Sequence, residues 1–112
     1  MVEKGISKRV AKIVKNYTQR LLEEEKLSIK RVMIFGSQAT GKTHTWSDVD
    51  VCIISPKFKN TLKAINFLLT KRKKEEVMAG LEPVGFTEED FATDSAFFNE
   101  IKKTGFELKL NC

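Results

Sequence analysis

RVMIFGSQATGKTHTWSDVDVCIIS, residues 31–55, is the part of this 112-residue chain around which the rest is built. It holds two apolar runs separated by a glycine–serine turn and a polar loop. The first run, VMIF, is nearly continuous, which is typical of a strand covered on both faces. We expect strands at 30–35 and 48–55, with a short helical turn at 38–41 between them.

The segments on either side of this stretch predict two long helices. Apolar residues recur at spacings of three and four, which indicates amphipathic helices over 5–26 and 60–79. The expected inner stripe of the first is Ile6, Val10, Ile13, Tyr17 and Leu21. The expected inner stripe of the second is Leu62, Ile65, Leu69, Val77 and Met78. The basic run at 71–74 is then a solvent-facing part of the second helix.

Two more strands are expected towards the C-terminus, at 81–86 and 106–110. Pro83 places the first of them at an edge or a strand end. Short helices should begin after Thr87 and after Asp94 or Ser95, which are good N-caps. This order predicts an α/β or α+β fold: a small mixed sheet of about four strands with helices packed against it in two layers. We expect a single domain over residues 1–112.

The composition is that of an ordinary globular protein, with 41% hydrophobic and 31% charged residues. No apolar run approaches the roughly 20 residues of a membrane span, and the N-terminus lacks the apolar stretch of a signal peptide. The two cysteines form no C-x-x-C pair, so we expect reduced thiols and a cytoplasmic location. A net charge of +5 suits anionic partners but is too small to predict nucleic-acid binding.

Residues 36–43, GSQATGKT, match the phosphate-binding loop pattern G-x-x-x-x-G-K-[ST] and follow a predicted strand. In that motif a helix begins at the Lys-Ser/Thr pair, and its first amides hold the phosphates. Here the residues after Thr43 have no helical period and leave no room for a helix before the next strand. The context therefore disfavours an NTPase of that class.

Two aspartates open the second strand. Because successive strand residues alternate between faces, Asp48 and Asp50 share one face, with α-carbons about 6.5 to 7 Å apart. Their carboxylates can converge on Mg²⁺, which prefers oxygen ligands and bridges substrate phosphates. Gly36 lets the backbone approach phosphates without a Cβ in the way, and Ser37 offers a hydroxyl and an amide. The stretch therefore predicts a nucleoside triphosphate held with its magnesium.

The spacing of these residues resembles a known signature. GSQATG at 36–41, five further residues and SDVD at 47–50 are similar to the pattern G-S-x-A-x-G, five residues, S-D-x-D. That pattern belongs to the minimal nucleotidyltransferases of the DNA polymerase β-like nucleotidyltransferase superfamily. The resemblance extends from the first helix to the last strand, and it implies the polymerase β-like nucleotidyltransferase fold.

The resemblance also implies roles for individual residues. Gly36 and Ser37 would hold the β- and γ-phosphates, while Asp48 and Asp50 would bind Mg²⁺ and support catalysis. The family carries a third carboxylate on a later strand, and Glu82 occupies that position here. Glu82 would complete the metal site or act as general base on the incoming hydroxyl.

Lys42 is a further predicted phosphate-binding residue. Thr40 stands where the family often has a basic residue, so contact with the phosphates by charge would fall to Lys42.

The implied reaction moves AMP from ATP onto an acceptor hydroxyl and releases pyrophosphate. We expect no helical substrate domain of the kind that larger relatives carry, so the acceptor should lie on another chain. The resemblance suggests a small helical HEPN-domain protein, the toxin of a toxin–antitoxin pair in which this chain is the antitoxin. Membrane and nucleic-acid partners are not expected. Two alternatives stay open: a nucleotide-binding module without catalysis, and a subunit of a small-molecule, antibiotic-type nucleotidyltransferase, which would need a homodimer.

Overall fold

The computed structural model describes residues 6–40 and 48–110. The elements are α1 (Lys8–Glu23), β1 (Arg31–Phe35), α2 (Ser37–Thr40), β2 (Val49–Ile54), α3 (Thr61–Thr70), α4 (Lys74–Met78), β3 (Leu81–Phe86), α5 (Glu88–Phe91), α6 (Ala96–Thr104) and β4 (Phe106–Leu108). Within those residues no helix combines the length and the apolar character that a membrane crossing requires. The predicted order is confirmed, except that one long helix is divided in two.

The four strands form one mixed sheet in the order β3-β2-β1-β4. β1 pairs antiparallel with both β2 and β4, whereas β2 and β3 run parallel. This confirms the predicted α/β class with a small mixed sheet and packed helices. β3 lies at an edge, as Pro83 predicted, because proline offers no N–H to a neighbouring strand.

The sheet has helices on both faces, so the expectation of two layers is wrong. The face covered by α1 and α3, here called the α1 face, is lined by alternate residues of the two central strands, such as Ile34 and Val51. The opposite face, here called the α6 face, carries Met33, Cys52 and Ile54 against α5 and α6. Both sets of alternate strand positions are apolar, so each face needs a cover.

α1 begins and ends through local capping. The hydroxyl of Ser7 accepts from the amide of Val10 at 3.2 Å and starts the helix. The helix ends at Glu23, three residues earlier than expected, where the amide of Leu27 donates to the carbonyl of Leu21. The predicted inner stripe is confirmed, with one addition: Val14 is fully buried, and its neighbour Ile13 only partly.

The expected helix over 60–79 is divided into α3 and α4 by hydrogen bonds from arginine side chains. Arg72 Nε donates to the carbonyl of Leu69 at 3.1 Å, and Arg20 donates to the carbonyl of Lys71 at 2.9 Å. The amide of Lys73 donates to Glu76 at 2.7 Å instead of continuing the helix. The basic run therefore lies at the junction of two helices, and its prediction as a helical solvent face is wrong.

The predicted inner stripe of this region is wrong at three of its five positions, while Ile65 and Leu69 are half-buried. Leu62 and Met78 are 76% and 77% exposed, and Val77 is exposed as well. The residues that face the core are Ala64, Leu68 and Glu76. α3 is apolar on most of its circumference, so periodicity alone could not select the buried side.

The C-terminal elements follow the prediction closely. Thr87 and Ser95 cap α5 and α6, each through a 3.2 Å bond from an amide three residues on. The last strand covers 106–108 and is two residues shorter than expected. The single domain over 1–112 stays a prediction.

Candidate active site

The bend after β1 brings the backbone of Gly36 against a carboxylate of β2. Gly36 has a φ of +75°, a conformation that favours glycine. A Cβ built on Gly36 would lie 2.5 Å from Oδ2 of Asp50. Residue 36 therefore has no room for a side chain, because that space belongs to the Asp50 carboxylate.

Asp50 lies in a row of side chains that crosses three strands. It pairs with Phe35 of β1 on one side and with Glu82 of β3 on the other. Directly paired residues on neighbouring strands, about 4.8 Å apart, project to the same face of a sheet. Asp50 alternates with Cys52 and Ile54, so the row lies on the α6 face. The structure thus brings together the predicted residues Gly36, Asp50 and Glu82.

The electrostatic environment of Asp50 is unfavourable to another negative charge. Burial raises the pKa of the Asp50 carboxyl, and the charges of Glu82 and Asp48 raise it further. Asp48 and Glu82 are exposed, whereas Asp50 is half-buried. The two neighbouring charges that raise this pKa, on Glu82 and Asp48, are both negative. Such a site gains stability from a cation.

The donor set fits magnesium only in part. Across residues 6–40 and 48–110, no three carboxylate, imidazole or thiol groups converge closely enough to hold an ion by themselves. Mg²⁺ is usually held by one or two carboxylates and completes its shell with water and substrate phosphates. Asp48 and Asp50 fit that arrangement, with Glu82 next to them. The residues are therefore suited to a metal that arrives with a phosphate ligand.

The phosphate-binding candidates lie at the start of α2. Ser37 is its first residue, immediately after the Gly36 bend. The amide of Ala39 donates to the carbonyl of Gly36 at 3.1 Å and closes the turn. Lys42 lies outside the described residues, so its predicted role stays a prediction. α2 begins well before the Lys-Thr pair, and β1 and β2 are antiparallel, so this loop differs from a phosphate-binding loop of the NTPase class.

A cavity of about 370 Å³ adjoins the bend on the α6 face. Its lining residues are Phe35, Gly36, Ala96, Phe97, Glu100, Ile101 and Thr104. Phe97 is 46% exposed although its ring packs edge-on against Phe35 at 5.8 Å. Sequence analysis missed the contribution of α6 to the site. The available signal was the Phe97-Phe98 pair, because neighbouring helix residues point about 100° apart and cannot both face the core.

Comparison with known proteins shows the family. The model of the nucleotidyltransferase domain family matches residues 9–108. No curated protein matches the chain.

Two solved structures share the fold. A candidate nucleotidyltransferase from Sulfolobus solfataricus is 17% identical with a TM-score of 0.64, over 88% of this chain and 78% of that one. A toxin–antitoxin structure with AMP-PNP is 20% identical with a TM-score of 0.57, over 87% of this chain and 73% of that one. At these identities the likeness concerns the fold.

Proposed function

The chain belongs to the nucleotidyltransferase domain family, and from that premise we propose that it transfers AMP from ATP to a hydroxyl of a partner protein. The observation that carries this proposal is the opposition of Gly36 and Asp50, where a Cβ would lie 2.5 Å from the carboxylate. This opposition places the backbone of Gly36, which has no side chain, next to the carboxylate oxygens of Asp50 at the end of the sheet. Bare amides suit phosphates and acidic oxygens suit the accompanying cation.

Apart from Lys42, each predicted site residue takes a role in this reaction. Gly36 and Ser37 hold the β- and γ-phosphates, and Asp48 and Asp50 hold the metal. Bound there, Mg²⁺ would act as a Lewis acid and neutralise charge on the phosphates. The acceptor oxygen forms a bond to the α-phosphorus, the bond to the α–β bridging oxygen breaks, and pyrophosphate leaves with that electron pair. Glu82 takes the proton of the acceptor hydroxyl.

The acceptor in this proposal is a small helical HEPN-domain toxin, which this chain neutralises as the antitoxin in the cytoplasm. Support comes from the sequence resemblance and from the similar fold of a toxin–antitoxin structure with AMP-PNP. Because one fold hosts many functions, the identity of the acceptor is tested by the transfer reaction itself.

The test is a labelling reaction with the product of the neighbouring reading frame, co-purified with this chain. With Mg²⁺ and ATP labelled at the α-phosphate, we expect label on the partner and none with ATP labelled at the γ-phosphate. The double variant Asp48→Asn, Asp50→Asn should bind the partner but transfer no label.

Other outcomes separate the alternatives. Partner binding without any label, in wild type and double variant alike, would indicate a binding module without catalysis. Label on a small amine or alcohol instead of a protein would indicate a small-molecule enzyme.

A further inference from the structure

Gly36 lines the cavity, and the same residue lies against the Asp50 carboxylate. The cavity volume of about 370 Å³ is near the lower end of ligand pockets, which span roughly 300–1,000 Å³. That size suits one planar group of a small ligand better than a folded segment of a partner. The ligand to consider is therefore the one that the bend itself would hold.

The walls of the cavity exclude phosphates. Phe35, Phe97 and Ile101 make it largely apolar, and the charged group among its described lining residues is the carboxylate of Glu100. Among those residues a triphosphate placed there would meet a negative charge and no cation, whereas at Asp48 and Asp50 it would arrive with a metal. The uncharged end of a nucleotide, its base, suits the cavity.

Phe97 has the position of a stacking residue. Its ring packs edge-on with Phe35 at 5.8 Å, with Phe86 at 6.0 Å and with Phe98 at 5.1 Å. These contacts brace the ring while 46% of the residue stays exposed. Exposed aromatic side chains that are held in place are good platforms for nucleobases.

Glu100 supplies an acceptor at the same wall. Its backbone carbonyl accepts from the hydroxyl of Thr104 at 2.9 Å, and the same hydroxyl lies 3.4 Å from its carboxylate. In the described part of the chain, the ion pairs involve other acids than Glu100. A carboxylate accepts hydrogen bonds, so it favours a base edge with N–H groups, such as the amino group of adenine.

We propose that the cavity between the Gly36 bend and α6 is the nucleobase subsite, and that it takes a purine stacked on Phe97 with its amino edge at Glu100. This inference rests on the proposed function, because it needs the triphosphate to lie at the bend. It makes α6 the element that selects the nucleotide.

The test compares three ligands in Mg²⁺ by calorimetry: ATP, UTP and inorganic tripolyphosphate. Phe97→Ala should weaken ATP binding by about tenfold, which is within the range of stacking energies. It should leave tripolyphosphate binding within about twofold, since that ligand has no base. Glu100→Gln should narrow the preference for ATP over UTP, because a charged acceptor forms the stronger bond. Leu62→Ala, at an exposed apolar position of α3, is the matched control. It should change neither the affinity for ATP or tripolyphosphate nor the preference for ATP over UTP.

A readout without mutation is the nuclear Overhauser effect between purine protons and the Phe97 ring in the wild-type complex. It should be present with ATP. If Phe97→Ala binds ATP as wild type does and no such effect is seen, the subsite assignment is overturned, while loss of binding in Asp50→Asn would still support the proposed function. If neither ATP nor tripolyphosphate binds in Mg²⁺, the proposed function fails and this inference fails with it.

Discussion

The two faces of one sheet differ in what their residues do. On the α1 face Tyr17 is buried and its hydroxyl donates to the carbonyl of Leu68 at 2.6 Å, and Arg20 pairs with buried Glu76 at 2.6 Å. On the α6 face the core cluster is smaller, Phe97 is exposed and a cavity adjoins the Gly36 bend. Neighbouring residues of β2 serve the two faces in alternation. The fold therefore separates its stabilising side from the side that carries the candidate site by the pleat of a strand.

The largest expected effect concerns catalysis on the α6 face. Asp50→Asn keeps the side chain's size but removes the charge that would hold Mg²⁺. Transfer should fall by about 100-fold or more, because Lewis-acid stabilisation is worth several kcal/mol and about 1.4 kcal/mol is tenfold. Initial rates of label transfer measure this. Glu23→Gln, which removes a carboxylate from α1, is the control and should transfer at the wild-type rate.

The same Asp50→Asn variant should be more stable than the wild type without metal. Burial and the charges of Glu82 and Asp48 raise the pKa of Asp50 in the folded state. The folded chain therefore holds that proton more tightly than the unfolded chain, and stability falls as pH rises through the two pKa values. In EDTA at neutral pH the variant should have the higher melting temperature. A lower melting temperature would contradict the unfavourable electrostatic environment of Asp50.

On the α1 face, large effects should concern stability. Leu68→Ala empties a site that is fully buried and should cost about 2–5 kcal/mol of unfolding free energy. Leu62→Ala on the same helix, where the residue is 76% exposed, should stay within about 0.5 kcal/mol. Urea denaturation of both variants measures the difference. Equal costs would mean that α3 packs with another side inward.

The ion pair on the α1 face should contribute more to stability than the ion pair on the α6 face. Glu76→Ala leaves Arg20 without its partner at a side chain only 14% exposed and should cost about 3 kcal/mol. Glu107→Ala breaks the pair with Arg31, whose side chains are 39% and 44% exposed, and should cost less than about 1 kcal/mol. Denaturation at pH 7 compares the unfolding free energies of the two variants. A larger loss of stability in Glu107→Ala would contradict the conclusion that the α1 face is the stabilising side.

The smallest expected effect is the pH dependence of that exposed pair. The hydrogen bond from Arg31 lowers the pKa of Glu107 in the folded state. Its contribution is therefore present above the unfolded pKa and is lost as pH falls through the folded pKa. The difference in stability between wild type and Glu107→Gln should shrink towards acid pH. A stability difference that grows towards acid pH would contradict the lowered pKa of Glu107.

Local patterns predicted much of the fold. The apolar runs, the Thr87 and Ser95 caps and the edge position set by Pro83 all express forces that act within a few residues. The same holds for the predicted side of β2 that carries Asp50, which follows from strand alternation.

What could not be predicted depends on contacts between distant segments. The break after α3 is held partly by Arg20, 51 residues from the carbonyl that it binds. The inner side of α3 is set by the sheet beneath it, because its own sequence is apolar on most sides. The Phe97-Phe98 pair signals that one of the two rings lies outside the core, but only the packing of α6 beside the Gly36 bend brings Phe97 to the cavity.

The central claim, that the Gly36 bend and the Asp50 carboxylate hold a metal–triphosphate together, is tested most directly by titrating Mg²⁺ and AMP-PNP into wild type and Gly36→Ala. Gly85→Ala is the control: a Cβ built there would crowd the Phe58 ring at 2.6 Å, on the opposite face of the sheet from Asp50. Wild type and Gly85→Ala should bind only with Mg²⁺, and Gly36→Ala should bind at least about tenfold more weakly. Wild-type affinity in Gly36→Ala, or equal binding in EDTA, would contradict the claim.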